Sequence, residues 1–114
     1  MWIMVSGPYT AGGADAKRRA ENLRQLNEAA VALLRMGHVP VVGVNMALPM
    51  IDVAGSPGGY DEIMMPVSLA LADRCDACLR IGGPSQGADD EAERFRRRGR
   101  PIFLRLDDVP PAEN

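Results

Sequence analysis

The sequence predicts an α/β fold, a small Rossmann-like (flavodoxin-like) parallel sheet flanked by helices on both faces. Two observations predict it: short apolar, β-branched runs alternate with segments of helical period, and the second run, residues 39–44, is β-branched without polar alternation, as in a strand covered on both sides. Right-handed crossovers turn this alternation into a parallel sheet. At 114 residues, with 46% apolar and 25% charged side chains, the chain suits one domain, 1–114. A domain of this size buries roughly two-thirds of its unfolded surface.

The first strand is expected over residues 2–6, ended by Gly7-Pro8. A long amphipathic helix follows over 15–36, with Ala20, Leu23, Leu26, Asn27, Ala30, Leu33 and Leu34 at helical spacing and Gly37 closing it. Residues 39–44 form the second strand. Residues 46–60 carry two prolines and three glycines among scattered apolar side chains, which reads as a loop long enough to be a lid with a short helical turn. Residues 61–74 return to helical period, with Pro66 allowed in or near the first turn. The third strand is 76–81 and the last helix 87–98, with Ala88, Ala92 and Phe95 inward. The last strand, 101–106, leads into a polar, Pro-rich tail.

Composition excludes several function classes. Thirteen basic and fifteen acidic side chains leave a net charge of -2, without the basic footprint of a nucleic-acid polymer binder. No apolar run approaches the ~20 residues needed to span a bilayer, and Met1-Trp2-Ile3-Met4-Val5 has no basic leader, so a cytoplasmic protein is expected. Two cysteines and one histidine supply neither a disulfide framework nor a zinc set, and no cofactor is expected. Cys75 and Cys78 form a C-x-x-C pair, but between a helix end and a strand rather than at a helix N-terminus, where thiols become reactive. They are read as structural.

In open parallel sheets ligands bind outside the carboxyl ends of the strands. Two loops meet that condition. One is Gly7-Pro8-Tyr9-Thr10-Ala11-Gly12-Gly13; the other runs from Gly82 through Pro84, Ser85 and Gln86 to Gly87 and opens a helix carrying Glu91. Neither is a dinucleotide fingerprint or a P-loop, because G-x-G-x-x-G and Gly-Lys-Ser/Thr are absent. A Gly/Ser turn into a helix can hold an anion while the helix presents a carboxylate.

Gly7-Pro8-Tyr9 at the end of the first strand, Ser85, Gly87 and Glu91 as Ser-x-Gly-x-x-x-Glu, and Gly99-Arg100-Pro101 before the last strand carry a resemblance. In order and spacing over most of the chain they resemble the nucleoside 2-deoxyribosyltransferase-like superfamily, which includes 2′-deoxynucleoside 5′-monophosphate N-hydrolases. The resemblance implies cleavage of an N-glycosidic bond with Glu91 as nucleophile and a glycosyl-enzyme intermediate, completed by water or by a second base. A carboxylate suits an oxocarbenium-like centre because it stabilises and then traps it. The alternative from another class is a non-catalytic nucleotide sensor.

The resemblance also implies roles at other positions. Relatives acting on free nucleosides carry an acidic residue where Ser85 stands, so Ser85 and Gly87 favour a 5′-phosphate, although Ser85 could equally act only as a helix cap. Asp89 and Asp90 add negative charge against that. Tyr9 would face the base and orient Glu91, while Ser6, Gly7, Thr10, Gly12 and Gly13 would line phosphate or ribose. Asn45, Met46, Met50, Met64 and Met65 would wall the base. Relatives carry the Asp that assists the leaving base at a place aligning with Ser68, so Asp61, at the start of the same helix, is the substitute candidate. A homodimer or larger homo-oligomer is implied as well.

The remaining polar residues have plainer readings. Asp73 and Asp76 lie at the opposite sheet edge and are structural. His38 interacts with the preceding helix C-terminus. The cluster from Arg94 to Arg100 is a solvated face or an oligomer contact. Arg18 and Arg19 sit at a helix start against the dipole preference, so one of them is a candidate anion ligand against a solvated-surface alternative.

Overall fold

The computed structural model of the protein describes residues 1–113. Its order is β1 (Trp2–Ser6), α1 (Ala16–Arg35), β2 (Val39–Val41), α2 (Gly43–Ala54), α3 (Gly59–Arg74), β3 (Ala77–Arg80), α4 (Gln86–Arg97) and β4 (Ile102–Phe103), followed by a 3-10 turn over Leu106–Asp108. The four strands form one all-parallel sheet ordered β2-β1-β3-β4. The fold is therefore the small Rossmann-like α/β sheet that alternation predicts. Its order reverses between β1 and β3, where such sheets open their ligand crevice. Among the described residues no helix is long and apolar enough to cross a membrane.

The two central strands sort their side chains by the two-residue period of extended chain. Ile3 and Val5 of β1, with Ala77 and Leu79 of β3, join Leu26, Ala30 and Leu33 of α1 in one core. Met4 and Cys78 face the other way, into a core with Ala72, Cys75 and Phe95 of α4. Parallel register pairs Met4 with Cys78 and Ser6 with Arg80. The second layer thus turns from apolar to polar toward the carboxyl edge.

α1 matches its predicted span, capped by the Asp15 side chain on the Arg18 amide at 2.8 Å and closed by Gly37 at φ 90°. Its buried face runs through Asn22, Leu26, Ala30 and Leu33, whereas Leu34 is 59% exposed. β2 is shorter than expected and is an edge strand, not a buried one. Pro40 has no N–H for a second neighbour, so β2 can sit only at the border, and Val39 is exposed.

The largest departure is residues 46–60, most of which are helical rather than loop. α2 contains Pro49 and α3 contains Pro66 beyond its first turn; both prolines are exposed and each forfeits one backbone bond. Packing of α2 on α3 overrides that local cost. Gly43 lies so near Ser68 that an added Cβ would collide with its hydroxyl and stand 3.0 Å from its Cβ. The tail is also ordered. Val109 is buried, the Ala112 amide donates to the Met36 carbonyl at 2.9 Å, and the His38 ring joins the Met1 amino group (3.0 Å) to the Pro110 carbonyl (2.7 Å). Only the backbone N–H of His38, bonded to Leu33, serves the helix end.

The exits of β1 and β3 press together at two glycines. A Cβ on Gly7 would lie 2.9 Å from the Ile81 carbonyl, and one on Gly82, at φ 78°, would lie 2.7 Å from Pro8 Cδ. Gly99, at φ 66°, has open space around it. Gly99→Ala should therefore lower stability by the left-handed backbone cost alone, ~1–2 kcal/mol, and Gly82→Ala by distinctly more. Chemical denaturation of both variants checks this, and equal losses would mean that the Pro8 contact yields without cost.

Candidate functional site

β1 and β3 deliver Ser6 and Arg80 side by side on the face covered by α4. On α4, Ala88 and Phe95 are buried, and Glu91, one turn before Phe95, shares their inward face. Glu91 thereby lines a cavity of about 190 Å³ at the carboxyl edge of the sheet, with Gly7, Tyr9, Tyr60, Ser68 and Ser85 among its walls. It is the one carboxyl in that lining among the described residues.

The chemistry of Glu91 follows from this setting. Burial pushes its carboxyl up to about 8; Arg80 and a hydrogen bond from Ser6 pull the other way, and Asp90 adds to the rise. Ser6 is itself held from beneath, where the Cys78 thiol donates to its hydroxyl at 3.6 Å. The Ser6 proton is then free to point at Glu91. Arg80, with its side chain only 12% exposed, donates to Asp89 at 3.1 Å and to the carbonyls of Ile81 at 2.5 Å and Gly83 at 2.9 Å. One guanidinium thus pins the glycine turn, neutralises Asp89 and biases Glu91 toward its anion.

Ser85 caps α4, accepting from the Ala88 amide at 3.2 Å. Ser85 and Gly87 both border the cavity. The Ala88 amide is engaged by this cap and is not free for an anion. Asp89 is paired with Arg80, which offsets its repulsion toward an anion, whereas Asp90 accepts only from the neutral Gln86 amide at 2.8 Å and keeps its charge.

Tyr9 lines the cavity, its carbonyl fixed by buried Asn22 at 2.9 Å, and Thr10 meets the Tyr60 hydroxyl at 3.2 Å. No hydrogen bond joins Tyr9 to Glu91; Ser6 acts on Glu91 by favouring its anion. Asp61 is exposed in the first turn of α3 and outside the cavity lining, whereas Ser68, two turns on, faces in. Asn45 pairs with Asn27 (2.6 and 3.3 Å), and Met46 is 52% exposed, so neither walls the cavity; Met64 and Met65 do. The helical form of α2 turns these two side chains away. Met50 is exposed as well. Gly12 and Gly13, also candidates, lie outside the cavity lining.

Arg80, Asn22 and Tyr60 escaped sequence reasoning. An arginine inside the apolar run Ala77-Cys78-Leu79-Arg80-Ile81 was the available signal for the first, since a charge in a central strand demands partners. Asn22 occupied a position on the buried helix face, and Tyr60 carried no pattern. Elsewhere, Asp76 accepts from the Trp2 amide at 2.8 Å, and Asp73 pairs with Arg94 at 3.1 Å and Arg98 at 3.4 Å, as structural residues should. Arg100 donates to the carbonyls of Asp73 and Cys75, and Glu93 holds Arg96 and Arg97, so the arginine cluster is largely internal bracing.

With this geometry in view, the chain belongs to the DUF1937 family, described as a domain of unknown function, whose pattern matches residues 1–106. No curated protein matches the sequence significantly.

Two expectations follow from the buried acids. Glu91 keeps its proton in the folded protein while the unfolded chain loses it near 4.5, so stability is full below about 4.5 and declines as pH rises to about 8. Glu91→Gln should stabilise the protein by up to a few kcal/mol at pH 8.5 and hardly at all at pH 4.5, given about 1.4 kcal/mol per tenfold change in proton affinity. Melting temperatures at the two pH values check it, and an equal increment at both would sink it. Burial raises the thiols of Cys75 to about 11 and Cys78 to about 12. Neither should react with a thiol reagent at pH 8 until denaturant is added.

Proposed function

We propose that the protein cleaves the N-glycosidic bond of a nucleoside or nucleoside 5′-monophosphate, with Glu91 as nucleophile. The observation that carries this reading is Glu91 on the wall of a cavity at the sheet's switch point, between Ser6 and Arg80 and facing the Ser85-Gly87 turn. The motif resemblance to the nucleoside 2-deoxyribosyltransferase-like superfamily supports the same class. The Glu91 carboxylate attacks C1′ as the C1′–N bond breaks, and its electron pair leaves with the base. The base takes a proton from solvent. Water then attacks C1′ of the glycosyl ester and frees Glu91, or an acceptor base does so and completes transfer.

Arg80 and Ser6 favour the anionic nucleophile, and Arg80 also fixes the turn that meets the sugar's 5′ end. Ser85 and Gly87 accommodate a phosphate there, with Asp89 neutralised. Tyr9 and Tyr60 supply aromatic surface for a base. We place this activity in the cytoplasm and in a homodimer or larger homo-oligomer. The exposed stripe of Met46, Met50 and Val53 on α2 supports the assembly.

A second reading has its own observation. Glu91 is the one carboxyl lining the cavity among the described residues and holds its proton near neutral pH, which suits a nucleotide sensor that binds without turnover.

Incubation with ribo- and deoxyribonucleosides and their monophosphates, with and without acceptor base, should release free base detectable by chromatography. Glu91→Gln should reduce release about a hundredfold or more. Because the nucleophile must be ionised, kcat/KM should rise with pH and level off above about 8. A profile falling through that pH would make Glu91 an acid instead. Ligand-dependent thermal stabilisation without base release would select the sensor, and neither response would remove both readings.

A further inference from the structure

A second groove adjoins the cavity and shares Tyr9, Thr10 and Tyr60 with it; its other walls are Arg19 and Leu48. Arg19 is half-buried in the first turns of α1. One terminal nitrogen donates to the Ala14 carbonyl at 2.7 Å, which anchors the guanidinium at the rim. Arg18 beside it pairs with Glu21, but Arg19 has no ion-pair partner among the described residues. A cation at the positive end of a helix, without a carboxylate, is placed against its electrostatic preference.

We infer that this groove is a base-selecting subsite and that Arg19 selects a 6-oxopurine by donating to its O6 and N7. The inference rests on the N-glycosidase or nucleotide-binding reading of the neighbouring cavity. Two tyrosines and a leucine suit a flat heteroaromatic ring better than a phosphate, and the turn before α4 already offers the anion contacts. Arginine has only N–H donors, so it matches an edge with two adjacent acceptors. Guanine and hypoxanthine present that edge at O6 and N7. Adenine lacks that edge, because it places an amino donor beside N7.

The same contact addresses the chemistry of departure. When the C1′–N9 bond breaks, its electron pair delocalises over the purine, including N7 and O6, where Arg19 would meet the charge. The base then takes its proton from water. A cation at the leaving group does part of what an acid would do, in a cavity that Asp61 does not reach.

The test is binding, measured by calorimetry on Glu91→Gln so that no bond breaks. Deoxyguanosine and deoxyinosine monophosphates should bind about tenfold or more tighter than deoxyadenosine monophosphate. The 7-deaza analogue of deoxyguanosine monophosphate, which lacks the N7 acceptor, should lose most of that margin. Adding Arg19→Gln should move the preference toward adenine, because Gln offers one donor and one acceptor to N7 and N6. Equal weakening for all bases, or weakening that disappears when the 5′-phosphate is removed, would overturn base selection and make Arg19 a phosphate ligand. Guanine preference without base release by the wild type would uphold the subsite and reject hydrolysis. Base release without that preference would do the reverse, and no binding at all would overturn both.

Discussion

Everything at this site depends on a carboxyl held out of water between a hydroxyl and a guanidinium. Glu91 reaches that position because α4 places it one turn before Phe95, and Phe95 is sunk in the core layer shared with Met4 and Cys78. The layer ends where β1 and β3 end, at Ser6 and Arg80 in register. Hydrophobic packing thus sets the depth of the acid, and the first polar pair beyond the core sets its chemistry. Burial dominates the balance and keeps the proton on Glu91 near neutral pH, while Arg80 and Ser6 oppose it. A ligand that changes the desolvation or charge around this carboxyl therefore changes its protonation.

The loops around Glu91 are held in place by related contacts. Gly7 and Gly82 let the two strand exits approach more closely than any side chain permits, and Arg80 ties the second exit down through two carbonyls. On the other flank, Asn22 holds the Tyr9 carbonyl from the buried face of α1. The cavity walls are accordingly fixed by the same elements that build the two cores. α2 and α3 close the remaining side, and their close approach at Gly43 and Ser68 puts a serine on the cavity wall.

Much of this was legible in the residues. The alternation of strands and helices, the span of α1 and its closing Gly37, the two loops at the carboxyl edge and the inward face of α4, the helix that carries Glu91, all follow from local pattern and turn chemistry. Residues 46–60 were not legible as helix, because Pro49 and the flanking glycines argue for a loop, and only contact with α3 outweighs them. The exposure of β2 depends on which neighbour it lacks, a property of strand order and not of its own composition. Asn45 and Met46, expected as walls, and Asp61, expected as the substitute acid, lie outside the cavity lining because their direction is set by how α2 and α3 lie on each other.

By itself the sequence determined the class of fold, the edge of the sheet that carries the site and the carboxylate at its centre, because period, glycine turns and caps act over a few neighbouring residues. Tertiary structure alone decided the partners of that carboxylate. Ser6 lies far from Arg80 and Glu91 in the chain, and their meeting depends on parallel register and on the packing of α4 against the sheet. The protonation of Glu91 was likewise undecidable from local pattern, since it is governed by the solvent that the assembled layers exclude.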